Sequence, residues 1–225
     1  LREVVDWSYE NVTSTLCSCL ATHAVLEFKY GQKRKPVGKK HWGVFPHKVV
    51  DRAHPLVKGV NTRFDIPHSR FNEVSESQFK EANAVVLAKS PIGVHLAVSP
   101  DLFRIVFFQG HPEYDSVSLL KEYKREVALY LEKSTTKYPP FPSNYLSLQS
   151  CAILTEYRQK LINKTATIKH FPEELIARTL DNTWHDSASA IINNWIGCVY
   201  QVTNENIRKP FMQTIDPNNP LSLEK

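Results

Sequence analysis

The sequence predicts an α/β protein, and two stretches carry that prediction. Across 11–31, NVTSTLCSCLATHAVLEFKYG, a strand turns into a helix. Thr13, Thr15 and Cys17 alternate with Ser14, Leu16 and Ser18, mixing β-branched and small residues as a half-buried strand does. Ala21, Ala24, Val25 and Phe28 then fall at i, i+3, i+4 and i+7 on one helix face, and Gly31 supplies the stop. The second stretch, 103–109 (FRIVFFQ), is almost continuously apolar, which places it in a sheet interior. A helix follows over 116–131, with Leu119, Leu120, Tyr123, Val127, Tyr130 and Leu131 on one stripe and Asp115 or Ser116 as N-cap. Strand–helix units of this kind build parallel sheets.

The remaining elements follow in chain order. Residues 1–10 place Leu1, Val4 and Val5 on one side and Arg2, Glu3, Asp6 and Glu10 elsewhere, as the last turns of a helix do. Residues 32–41 (QKRKPVGKKH) predict a basic loop, and 43–50 a short strand. Lys33, Arg34, Lys35, Lys39 and Lys40 suit a phosphate patch or a solvated loop equally well. Pro67, His68, Ser69 and Arg70 form a compact polar knot, with a capping or turn role open to Ser69. Short strands are expected at 84–89, 92–99 and 103–109, separated by Ser90-Pro91 and Pro100-Asp101. A proline-rich stop at 138–145 precedes helices at 152–162 and 173–180. A longer helix over 184–202 turns Ala188, Ile191, Ile192, Trp195 and Val199 inward, and the tail from 209 is expected to be loosely held. The domain organisation expected is therefore an α/β catalytic part over 1–145, a helical insertion over 146–183, and a C-terminal helix and tail over 184–225 packing on the same domain.

With 42% hydrophobic residues in 225, the chain can bury one sizeable core. No run of apolar residues is long enough to span a bilayer, and no charged-then-apolar leader is present, so neither a membrane partner nor a signal peptide is expected. Cys17, Cys19, Cys151 and Cys198 are too few and too oddly spaced for a disulfide framework, which points to a reducing, cytoplasmic compartment. The net charge of +5 suits an anionic small ligand rather than nucleic acid. The only methionine is Met212 and the first residue is Leu1, which suggests a processed start or a longer gene product.

Cys19 sits at the strand-to-helix junction, where a nucleophile stands clear of the sheet and the helix N-terminus behind it favours thiolate. His111 and Glu113 lie two residues apart after the interior strand, and Pro112 between them restrains the backbone. A cysteine enzyme needs such a pair: the imidazole takes a proton, and the carboxylate sets its tautomer and supports the imidazolium. A metal site is not expected, since CSC has no second cysteine pair and no HExxH beside it.

GHPEYD, TSTLCSCLA, PHSRF and the segment Lys40-His41-Trp42-Gly43-Val44 together resemble the homoserine O-acyltransferase family, often named homoserine O-succinyltransferases. The resemblance covers 1–131 and resumes over 184–202, leaving 146–183 without a counterpart. It implies a flavodoxin-like, class I glutamine amidotransferase-like doubly wound sheet and a ping-pong transfer from acetyl- or succinyl-coenzyme A to homoserine in methionine biosynthesis. No permanently bound cofactor is implied, and a homodimer is. By position Cys19 matches the acyl-accepting nucleophile, His111 the general base and Glu113 the third member of the triad. Lys40, Ser69 and Arg125 match substrate-contacting positions, with Arg70 their neighbour in the motif. The pattern also chooses Cys19 over Cys17, which falls inside the strand. Leu20 stands where the family usually has tryptophan, and His23 where it often has glutamine. The resemblance further implies preceding residues that hold the first strands of the sheet and an oxyanion loop. A serine acyltransferase, a glutaminase-type hydrolase and an inactive regulatory homologue are the alternatives.

Overall fold

The computed structural model describes residues 2–206 and 208–224, so Leu1 of the first predicted helix lies outside the described residues. In chain order the elements are α1 (Arg2–Asn11), β1 (Thr15–Ser18), α2 (Leu20–Tyr30), β2 (Lys35–Val49), β3 (Arg63–Glu73), α3 (Glu76–Glu81), β4 (Val85–Ser90), β5 (Gly93–Val98), β6 (Ile105–Phe108), α4 (Ser118–Leu131), α5 (Leu148–Ile162), α6 (Glu173–Ala177) and α7 (His185–Val202). A six-stranded sheet runs in the order β1-β6-β5-β4-β2-β3. β1 and β6 pair in parallel, with Cys17 opposite Phe107 and Ser18 opposite Phe108, and the other pairings are antiparallel. Tight links such as the one between β4 and β5 permit only antiparallel pairing, whereas β1 and β6 are joined by a long excursion.

β6 explains the layering. Ile105 and Phe107 point to one face, onto Val5, Val25, Leu26 and Phe79 of α1, α2 and α3. Val106 and Phe108 point to the other, into the larger core with Leu120 and Tyr123 of α4, Leu154 of α5 and Ile191 of α7. The continuous apolar run is therefore a strand buried on both faces, as its composition predicts. Leu154, Tyr157, Phe171 and Ile176, all within 146–183, belong to this same core.

Several expectations are corrected. The basic stretch 32–41 is mostly strand: β2 runs through Lys35 to Val49, and the expected short strand is only its second half. Its alternation is broken by a register shift between Pro36 and His41, and its first half is largely exposed, which gives it the composition of a loop. The PHSRF knot is the middle of β3, paired with β2 so that Trp42 faces Ser69 and Val44 faces Pro67. Val4 is exposed, and Val5 and Ser8 make the inner side of α1. Asp115 caps the loop rather than the helix, accepting from Val117 N at 3.0 Å and Ser118 Oγ at 2.8 Å, while Val117 is the N-cap residue. The tail is anchored: Phe211 is buried and Pro210 O accepts from Thr13 Oγ1 at 2.7 Å. α3 went unpredicted although Ser75 and Gln78 form a capping box legible in the SxxQ spacing. Among the described residues no helix is long and apolar enough to cross a membrane.

The proline-rich segment docks on β2 through Ser143, which donates from N to Trp42 O at 2.9 Å and accepts at O from Val44 N at 2.9 Å. Gly43 makes this possible: its φ is 139°, and a Cβ there would collide with the Ser143 backbone.

Candidate functional site

Cys19 caps the end of β1 and opens α2 with φ 47° and ψ −106°, a conformation a non-glycine residue holds at a cost of about 1–3 kcal/mol. The surrounding bonds enforce it. Cys19 N donates to Phe108 O at 2.8 Å, continuing the β1–β6 ladder, while Cys19 O accepts from His23 N at 3.1 Å in the first turn of α2. Thr22 Oγ1 ties helix to strands, its single proton shared between Cys17 O and Phe108 O, each 2.8 Å away. Cys17 is different in kind. It is 3% exposed and burial pushes its thiol up to about 11, so it is protonated and unreactive at neutral pH.

Because β1 and β6 are parallel and in register, the chain after β6 emerges beside Cys19. Gln109 is fully buried and fixes that exit, donating from Nε2 to Val74 O at 3.0 Å and Val94 O at 2.9 Å. Its Oε1 accepts from Val74 N at 2.8 Å and from His23 Nε2 at 2.9 Å, which sets the His23 tautomer. A Cβ on Gly110 would sit 2.8 Å from His68 Nε2 and overlap Ile66, so glycine is required for the chain to turn over β3. His111 N donates to Pro67 O at 2.8 Å.

Two contacts hold the His111 ring: its Nδ1 lies 2.7 Å from Glu113 Oε1 and its face stacks on Tyr114 at 4.2 Å between centroids. Burial pulls the imidazole pKa down, but the neighbouring Cys19 and Glu113 outweigh it and push it up to about 9. Burial likewise pushes Glu113 up, and the His111 hydrogen bond overrides it to hold the carboxyl below its ordinary range. Ser18 Oγ donates to Glu113 at 3.2 Å, a partner that sequence reasoning missed.

Beyond Tyr114 the site continues through Glu122 on α4. The Tyr114 hydroxyl donates to Glu122 Oε1 at 2.6 Å; Ser69 Oγ and Trp42 Nε1 donate to Oε2 at 2.6 and 3.0 Å. Lys40 Nζ lies 4.0 Å from the same oxygen, and burial lowers its pKa. Glu122 thus joins Lys40 and Ser69 to the ring that positions His111.

A cysteine at a strained strand–helix turn, a His–Glu pair after the neighbouring strand and a glutamate hub linking Lys40 to Ser69 are accompanied by a family match over most of the chain. The homoserine O-succinyltransferase family profile matches residues 1–205. This chain belongs to the homoserine O-succinyltransferase family. A homoserine O-succinyltransferase of Nitrosococcus oceani is 60% identical over 229 residues, covering 100% of this chain and 64% of the relative. Those of Allochromatium vinosum and Cardiobacterium hominis are 57% and 44% identical over 99% and 98% of the chain, and 64% and 62% of their own lengths. The chain therefore spans just under two thirds of the curated relatives it matches. A glutamine amidotransferase structure from Methylobacillus flagellatus superposes with TM-score 0.51 at 14% identity, covering 87% of this chain and 66% of that one. That likeness supports the predicted fold.

The homoserine O-succinyltransferase match runs through 146–183, which corrects the expectation that this stretch has no counterpart in the family. Among the substrate-contacting candidates, Lys40 and Ser69 meet at Glu122, but Arg70 does not join them. Its buried guanidinium donates to Ile92 O at 2.6 Å, Asn72 O at 3.1 Å, Glu73 Oε2 at 3.4 Å and His68 Nδ1 at 3.3 Å, bracing β3 against the β4–β5 turn. On β3 its side chain alternates with that of Ser69, so the two neighbours face opposite ways. Arg125 lies one turn from Glu122 on α4, 63% exposed and 3.2 Å from Glu126.

Proposed function

We propose that this chain carries the acyl-transfer centre of a homoserine O-acyltransferase. Cys19, His111 and Glu113, gathered at the paired ends of β1 and β6 in a chain of this family, carry the proposal. The relatives' names favour succinyl as the acyl group and homoserine as acceptor, the family resemblance favours coenzyme A as the acyl carrier, and acetyl and serine are the nearest variants.

Proton transfer from Cys19 to His111 yields a thiolate beside an imidazolium. The Cys19 sulfur attacks the thioester carbonyl, a carbon–sulfur bond forms to the enzyme, and the bond to coenzyme A breaks. His111 protonates the departing thiolate. With Cys19 acylated, its charge no longer supports the imidazolium, the His111 pKa falls, and the neutral ring accepts the proton of the homoserine hydroxyl as its oxygen attacks. O-Acylhomoserine leaves and the Cys19 thiolate is restored. The Leu20 amide opens α2, which has no side-chain cap, and follows the nucleophile where such folds supply an oxyanion donor, worth about 3 kcal/mol.

Lys40 and Ser69 contact substrate beside the Glu122 hub, and the exposed Arg125 fork suits a carboxylate. The family resemblance supports a cytoplasmic homodimer working in methionine biosynthesis. Intact-mass analysis after incubation with succinyl-coenzyme A tests the chemistry. One succinyl group is expected on the wild type and Cys17→Ala, and none on Cys19→Ala; an adduct that survives Cys19→Ala refutes the assignment.

A further inference from the structure

The Glu122 hub has a second side. Past Lys40 lies a cavity of about 220 Å³ walled by Trp42, Phe71, Pro140 and Phe141, with Lys39 and Lys40 among its lining. That volume is below the roughly 300–1,000 Å³ of a site that encloses a whole ligand, so it fits one segment of a longer molecule. Phe71 is 62% exposed, a large ring left uncovered at the end of β3. Lys40 Nζ stands 4.2 Å from the Trp42 ring centroid and 5.2 Å from that of Phe71, so it is the partition between slot and hub. Glu126 also lines the slot, and its charge is met by Arg125 at 3.2 Å.

We infer that this slot holds the pantoyl segment of the acyl donor's pantetheine arm, with Lys39 at its rim meeting the diphosphate. The inference rests on the acyltransferase function proposed above. Position favours this segment. His111 N is bonded to Pro67 O, and Phe71 lies four residues further along β3, about 13 Å at the rise of a strand. In coenzyme A the gem-dimethyl carbon is some ten bonds from the thioester sulfur, roughly 12 Å when extended. Chemistry favours it too. The pantoyl group is the bulky apolar part of an otherwise polar arm, and aromatic and proline walls suit it. Just beyond it come the phosphates, and the chain supplies exposed cations in Lys35 and Lys39 at the start of β2 and in Lys33 and Arg34 just before it. The basic stretch thereby acquires the phosphate role that its composition alone left open.

The test uses the full chain with two exposed-residue variants, Phe71→Ala and Lys39→Glu, checked for unchanged melting temperature. Free coenzyme A, carrying no acyl group, is titrated by calorimetry, and Cys19 acylation is followed by mass spectrometry. The donors are succinyl-coenzyme A and S-succinyl-N-acetylcysteamine, which keeps the thioester but lacks pantoyl group and phosphates. Phe71→Ala is expected to weaken coenzyme A about 10-fold, and to lower the ratio of acylation rates, succinyl-coenzyme A over the short donor, by a similar factor. Lys39→Glu is expected to weaken binding most at low salt. Wild-type affinity in both variants, or acylation by both donors falling in parallel, overturns the slot while leaving the acyl-enzyme intact. Phe71-dependent binding of coenzyme A with no Cys19 acylation from either donor upholds the slot and removes the acyltransferase function instead.

Discussion

Replacing Glu113 with glutamine removes one of the two groups that raise the His111 pKa, and the size of the effect can be worked from the structure. At the observed 2.7 Å, two unit charges attract by about 1.5 kcal/mol in bulk water and about 6 kcal/mol at the effective dielectric of a protein. The Glu113 side chain is 53% exposed, so solvent screening places the interaction near the lower figure. That is about one pKa unit. Proton NMR titration of the His111 ring should therefore show the wild-type midpoint near 9 falling by about one unit in Glu113→Gln. Cys19→Ala should lower it further, because Cys19 is the larger of the two raising influences. The sign for stability follows from the raised value. The His111 pairing stabilises the fold fully below the ordinary 6.5 and fades as pH climbs through about 9, so Glu113→Gln should be less stable than wild type at pH 6 and match it at pH 10. An unmoved midpoint in both variants, or a larger drop in Glu113→Gln than in Cys19→Ala, would refute the triad electrostatics.

His47, His68 and His95 form a buried cluster beneath Gly110, with His47 stacked on His68 at 5.0 Å and 5.3 Å from His95. The groups facing them are the Arg70 guanidinium, Ser90 Oγ, Asp65 and His111. Burial holds all three neutral, His47 down to about 4, so the unfolded chain binds more protons and stability drains as pH falls from 6.5 toward 4, by about 3 kcal/mol for His47 alone. Neither ring nitrogen of His95 has a hydrogen-bond partner, so His95→Phe should raise denaturant stability by about 1–3 kcal/mol and move the acid midpoint lower; urea melts at pH 7 and 5 check both. Gly43→Ala should be among the most damaging single methyl additions, because it forces positive φ and drives Ser143 off β2. Loss of the folded fraction on expression, or a melting temperature lowered by several degrees, is the expected outcome, and an unchanged value counts against the docking described.

What was legible in the sequence was local. The elbow at Cys19, the two-sided strand before His111 and the His–Pro–Glu turn each announce themselves within a dozen residues, since periodicity, capping and chemistry coincide there. The first half of β2 and the whole of β3 were illegible for a non-local reason. Pro36, Gly38 and the run of cations look like a loop until β3 lies alongside, and Pro67 looks like a turn until His111 N is seen bonded to its carbonyl. Glu122 gave no signal, because what distinguishes it are Trp42, Ser69 and Tyr114, contributed by three separate parts of the chain. Adjacency to Ser69 in sequence puts Arg70 on the opposite face of β3, so the two do not share the Glu122 hub.

The parallel pairing of β1 with β6 explains why Cys19, His111 and Glu113 meet. Two parallel strands in register end at the same edge, so whatever follows β1 and β6 must emerge side by side; Ser18 opposite Phe108 puts Cys19 next to the Gln109–Gly110–His111 exit. An antiparallel pairing would have separated them by the length of a strand. In the acyl transfer proposed above, the same adjacency would couple the two half-reactions: Cys19 is a principal support of the His111 proton, so an acyl group on Cys19 would withdraw that support and turn His111 from the acid that releases one product into the base that admits the next substrate. The acyl group is itself the signal, and a chemically acylated Cys19 should show His111 titrating as low as Cys19→Ala does.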